Sequence, residues 1–181
     1  MIILNPDNLA PDEVMRHIVS LEVSYKDIGG KHRSGIIEIH EALASDVKSF
    51  FDLSVELGFP IEKVVRSSDP KYLWDDDKLI SDNASSGFNY RFIKDTKKPS
   101  LHGLGCAIDI NPRLNPYIRY IDDQILIDPE DAHYEPGVDG TLAAGHPLVQ
   151  FMKERGWEWG GDWTKESGRT DYQHFQKAVE N

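Results

Sequence analysis

The sequence predicts an α+β domain, a small single unit with a central antiparallel sheet and packed helices. Three observations lead there. Strand-like and helix-like segments alternate without the regular βαβ period of a parallel sheet. A Gly29-Gly30 pair separates two strand-like runs, as in a hairpin. Only two segments, Glu41 to Leu57 and Pro147 to Arg155, carry strong helical periodicity. With 181 residues the chain is read as one domain over 1–181, its core at about 21–176.

Pro11 to Ser20 is read as a short helix, with Pro11 in its first turn. Leu21 to Ile28 and Lys31 to His40 are the arms of the hairpin. His40 belongs to a strand face and is not read as a ligand. In the helix Glu41 to Leu57, the residues Leu43, Val47, Phe50, Phe51, Ser54 and Leu57 recur at helical spacing, and Gly58 stops it. Ile61 to Arg66 is a short strand. Ser67 to Gly87 is polar and turn-rich and reads as a long surface loop. Ala107 to Asn111 is an apolar strand carrying Asp109. A small hairpin is expected at Tyr120 to Ile127 within the Pro-, Asp- and Gly-rich stretch from Pro112 to Gly145. The second helix, Pro147 to Arg155, is closed by Gly156, and Tyr172 to Gln176 is a last strand. His146 is read as a cap or surface residue and His133 as exposed.

Composition excludes several classes. A net charge of -11 disfavours nucleic acid and anionic lipid as partners. No apolar run reaches the length of a membrane-spanning helix, so no membrane insertion is expected. No signal peptide is read at the N-terminus. One cysteine, Cys106, excludes a disulfide framework; it lies in an apolar stretch and reads as a buried small hydrophobe. There is no G-x-x-x-x-G-K-[ST] loop and no G-x-S-x-G elbow. The basic run Arg91, Lys94, Lys97 and Lys98 reads as a solvated loop or as a local anion site.

Two segments carry chemistry: S-L-H-G-L-G-C-A-I-D-I-N, from Ser100 to Asn111, and D-Y-Q-H-F, from Asp171 to Phe175. In the first, strand geometry sends Ile108 and Ile110 to one face and Ala107, Asp109 and Asn111 to the other. A carboxylate in an otherwise apolar strand costs several kcal/mol unless it is paired or metal-bound. His102, Asp109 and His174 make two imidazoles and one carboxylate, a composition known for catalytic zinc. Asp171 is the natural candidate for the base outside such a shell. The spacing is equally compatible with two hydrogen-bonded histidines and a structural aspartate.

The pattern S-x-H-x-x-G-x-A-x-D with a C-terminal D-x-x-H resembles the zinc D-Ala-D-Ala carboxypeptidase family. That family includes vancomycin-resistance dipeptidases and phage L-alanyl-D-glutamate endolysins. S-G-F-N-Y-R (Ser86 to Arg91), G-W-E-W-G-G-D-W (Gly156 to Trp163) and V-S-Y before a glycine turn resemble the endolysin-type branch. The resemblance implies one zinc ion on His102, Asp109 and His174, Asp171 as general base and acid, and Arg91 as the group that stabilises the oxyanion. Ser100 matches a residue near the substrate; its bland alternative is a bond to local backbone, and for Arg91 it is a surface position. Trp159 and Trp163 are read as walls of the substrate groove, with core or lid aromatics as the alternative.

The implied function is zinc-dependent hydrolysis of peptidoglycan stem peptides, between L-Ala and D-Glu, with release of terminal D-Ala as the rival. The basic run is expected to engage substrate carboxylates. Two other classes stay open: a non-catalytic zinc module that binds peptides or cell-wall fragments, and a metalloenzyme for another small amide or ester. The expected place of action is the cell wall, periplasmic or extracellular, or reached by a phage-type enzyme released from the cytoplasm.

Overall fold

The computed structural model describes residues 2, 5–93 and 96–179. Helix α1 spans only Asp12–Met15 and buries no residue. A helix this short is not stable by itself and is held by Val14 and Met15, which pack partly buried against the cluster of Ile18, Trp74, Phe88 and Tyr90. Strand β1 (Ile18–Lys26) therefore begins earlier than the sequence suggests, because Ile18 is buried and pairs with His40. Strand β2 (His32–His40) runs antiparallel to it, ending with Lys26 opposite His32. Between them Asp27 accepts a hydrogen bond from the Lys31 amide at 2.9 Å, and Gly30 takes a φ of 77° that suits glycine.

His40 closes β2 by capping, its Nδ1 accepting from the Ala42 amide at 3.2 Å. A 3₁₀ turn, Glu41–Leu43, leads into α2 (Ala44–Leu57), which buries Val47, Phe50, Phe51 and Ser54 and stops at the left-handed Gly58. The main core gathers Val47, Phe50 and Phe51 with Ile37, Ile39, Ile108, Ile110, Trp159 and Phe175.

Strand β3 (Lys63–Val64) pairs in parallel with β4 (Ala84–Ser85), with α3 (Asp76–Ser81) between them. The expected long surface loop is thus partly ordered and partly internal: Ser67, Ser68, Tyr72, Trp74, Leu79 and Ala84 are buried. Its helix is too short to show a period in sequence and has one buried residue, Leu79; an Asp75 cap on the Lys78 amide starts it.

Strand β5 (Ala107–Asp109) is followed by Asn111, held at φ 47°. Its Oδ1 accepts from the Glu62 amide at 3.0 Å, and its Nδ2 donates to the carbonyls of Pro60 and Gly140 at 2.9 and 3.0 Å. Asn115 adds a bond to the same Gly140 carbonyl at 3.1 Å. These two amides tie the long irregular segment to the end of β5. The hairpin inside it, β6 (Tyr117–Ile121) and β7 (Gln124–Asp128), is longer than expected. Helix α4 (Pro147–Glu154) is capped by His146, as read from the sequence. The chain ends in β8 (Glu158–Trp159), β9 (Arg169–Asp171) and β10 (His174–Gln176). Two three-stranded antiparallel sheets result, in the orders β5-β10-β8 and β7-β6-β9. The small mixed α+β architecture is the predicted one.

Candidate metal centre

The register of β5 and β10 builds the site. Asp109 lies directly opposite His174, and Ile108 lies opposite Phe175, which in turn lies opposite Trp159. Opposed residues share a face. One face of this small sheet is therefore core, and the other presents Asp109 and His174 side by side. His102 reaches the same point from a 3₁₀ turn, His102–Leu104. Ser100 caps that turn, its Oγ accepting from the Gly103 amide at 3.0 Å. Gly105 ends it at φ 66° and is pinned to β2, its carbonyl accepting from the His40 amide at 2.8 Å.

The three side chains are buried and offer ligand atoms within 4.8 Å of one another. His102 Nε2 is 3.1 Å from Asp109 Oδ2, His174 Nδ1 is 3.0 Å from Asp109 Oδ1, and the two ring nitrogens are 3.2 Å apart. The outer nitrogens settle the tautomers. His102 Nδ1 lies 2.8 Å from the Gly87 carbonyl, which can only accept. His174 Nε2 lies 3.0 Å from Gln176 Oε1, whose amide is oriented by a 2.7 Å bond to Glu158. Both outer nitrogens therefore donate, and in neutral rings the inner ones are lone pairs. With both rings neutral, three lone-pair donors converge on one buried point, an arrangement that suits a positive charge, whether a metal ion or a proton on His174. Ligand atoms about 2.0–2.2 Å from a tetrahedral ion stand about 3.4 Å apart, close to the spacings here. The residues fit a zinc-type ion, and the outer hydrogen bonds are those that orient metal-binding imidazoles.

The electrostatics agree. Burial pushes the Asp109 carboxyl up, but His102 and His174 outweigh it and hold Asp109 well below the usual carboxylate range. Burial opposes a charged His174, yet Asp109 and Asp171 raise it above the ordinary histidine value. The cluster draws positive charge.

Asp171 ends β9, opposite Tyr117, three residues before His174. Burial raises its carboxyl above the ordinary range; Asp109 adds to this, and His174 and His102 oppose it. Its Oδ1 is buried without a hydrogen-bond partner. Gly160 packs directly on its backbone.

The other predicted residues fall differently. Ser100 is buried and spends its hydroxyl on the local backbone. Trp159 is 2% exposed, donates its Nε1 to the Tyr172 carbonyl at 2.9 Å and belongs to the core, so it offers no wall to a groove. The strand alternation that sends Asp109 outward sends Trp159 inward. Trp163 is half-buried, with its ring 5.6 Å from that of His174. Arg91 is held by Asp76 at 2.7 Å. Of its basic run, Lys97 and Lys98 are exposed and Lys94 lies outside the described residues. Gly87 and Gln176, which hold the two imidazoles, were not singled out from the sequence. Gln176 carries a signal there, two residues after His174 on the same strand face; Gly87 carries none.

Residues 94–177, just under half the chain, match the family model described as D-alanyl-D-alanine carboxypeptidase. The matched stretch contains His102, Asp109, Asp171 and His174. The resemblance to the zinc D-Ala-D-Ala carboxypeptidase-like family is thereby supported, and with it a peptidase. No curated protein and no solved structure matches the chain.

Proposed function

We propose that the protein is a zinc-dependent peptidase of peptidoglycan stem peptides, built as a single zinc peptidase domain. The observation that carries this reading is the convergence of three buried lone-pair donors beside a buried carboxylate oxygen with no partner of its own. His102, Asp109 and His174 would hold the ion, which when bound supplies an acidified water and a Lewis acid for the scissile carbonyl.

The remaining work falls to the chain. Asp171 takes the proton of the attacking water and returns it to the leaving amine. Its burial, which favours the protonated form, suits a group that must both accept and release a proton near neutral pH. Arg91 is the proposed donor to the tetrahedral oxyanion, with Asp76 fixing its guanidinium. Ser100 acts by shaping the turn that presents His102. Trp163 is the aromatic wall of the groove beside His174.

The bond we favour is L-alanyl–D-glutamate, on the likeness of Ser86–Arg91 and Gly156–Trp163 to endolysins; the description of the matching family favours release of terminal D-Ala. The place of action is the cell wall. The test is Asp171→Asn in zinc-loaded protein on defined stem peptides, read by mass spectrometry. Wild type should cleave one bond. The variant should keep its zinc and lose roughly 10²–10⁴-fold in kcat. Near-normal turnover in the variant removes Asp171 from the mechanism, and no cleavage of any stem peptide by wild type removes the substrate class.

A further inference from the structure

The second sheet, β7-β6-β9, carries Asp171 at one end. Pairing puts Tyr117 opposite Asp171 and Arg119 opposite Arg169. Opposed residues share a face, as do residues two apart on one strand. Arg119 and Arg169 therefore stand on the same face as Asp171, about 7 Å further along the strand.

Arg33, Arg66, Arg91 and Arg113 pair with carboxylates, while Arg16 and Arg155 bond to backbone carbonyls instead. What sets Arg119 and Arg169 apart is that, among the described residues, they are unpaired and stand opposite each other. Neither Arg119 nor Arg169 has a carboxylate within ion-pair distance among the described residues, although acidic side chains outnumber basic ones by 31 to 20. Asp128 lies on this face, opposite Tyr117, and is influenced by Arg119 without pairing with it. The two guanidinium groups also come from directly opposed positions, where like charges destabilise a sheet. An anion between the groups would relieve that repulsion.

The aromatics connect this pair to the metal centre. The Arg169 guanidinium lies over the Trp163 ring at 4.7 Å, and that ring is 5.6 Å from His174. Arg119 lies over Tyr117 at 6.0 Å. Arg169 is exposed and Arg119 half-buried, so both are open to a ligand.

We propose that Arg119 and Arg169 form a carboxylate-binding subsite that selects peptides with a free acid group within about two residues of the bond cut. Two extended residues span about 7 Å, the step from Asp171 to Arg169. This rests on the peptidase reading above. It moves carboxylate recognition away from the run Arg91 to Lys98, where Arg91 is already paired.

The test uses two stem peptides that differ only in carrying a free carboxylate or a carboxamide at the acidic residue. The zinc-loaded wild type, Arg119→Gln, Arg169→Gln, Arg169→Lys and the double Gln variant are compared. Wild type should favour the carboxylate peptide. Each Gln substitution should raise its KM about tenfold while leaving kcat and the carboxamide peptide nearly unchanged. Arg169→Lys should recover part of the loss. Equal loss on both peptides, or no loss on either, overturns the subsite and leaves the peptidase reading standing. If wild type cleaves neither peptide, that reading fails for this substrate, and calorimetric binding of the same pair decides the subsite. Carboxylate-selective binding abolished by the double variant supports it; charge-blind binding or none overturns it.

Discussion

Gly160→Ala tests the placement of Asp171 without touching any ionisable group. A Cβ at residue 160 would stand 2.9 Å from Asp171 Cβ and 3.2 Å from its carbonyl carbon, with the Asp171 carbonyl oxygen nearer still. Ordinary contact begins at 3.4 Å, so the Cβ contact alone asks for about half an ångström, and the oxygen contact for more. The obstacle is backbone, which cannot swing aside as a side chain does. Either the turn of Gly160 or strand β9 must therefore shift, the strand against its pairing with β6 through Tyr117 and a 3.3 Å bond from the Tyr172 amide to the Pro116 carbonyl. In both cases Asp171 changes its place relative to Gly160. Overpacking of this kind costs about 1–3 kcal/mol of stability. A misplacement on the order of 1 Å in a catalytic group costs about 10²-fold in rate. The assay is kcat on a defined stem peptide, with zinc content and unfolding midpoint measured on the same preparation. The expected variant is folded, zinc-replete and slow by about two orders of magnitude. A folded variant with kcat within about threefold of wild type would show that this positioning does not limit the rate, against the leverage argued from an ångström-scale shift.

Two further outcomes follow from the same geometry. The double variant His102→Ala with His174→Ala should retain no stoichiometric zinc by elemental analysis, against about one ion in wild type; full retention would refute the ligand assignment. Asp82→Asn should lower the unfolding midpoint at neutral pH. Burial would raise the Asp82 carboxyl, but hydrogen bonds from Lys71, Tyr72 and Lys63 outweigh it and hold it low. A depressed carboxyl stabilises above its unfolded pKa and loses that contribution as pH falls through the folded one, so the gap to wild type should narrow below about pH 4. A gap that stays constant down to low pH contradicts the linkage.

Local pattern settles what depends on neighbours in the chain. Helix α2 was legible because Val47, Phe50, Phe51 and Ser54 repeat at helical spacing and Gly58 supplies a left-handed stop. The division of β5 was legible too, since alternation alone separates Ile108 from Asp109. His102, Asp109 and His174 were readable as a candidate set from their chemistry and from the family pattern. Pairing between distant segments was not readable. Asp109 meets His174 across 65 positions of chain, through a register set by packing Ile108 and Phe175 into one core. The same register buries Trp159, which its sequence context had placed in the groove. Arg119 and Arg169 are 50 residues apart, and nothing in either neighbourhood marks them as partners. Helical and strand periods record which face of one element is apolar; which elements then meet, and in what register, is decided by the joint burial of their apolar faces, a property of the folded core.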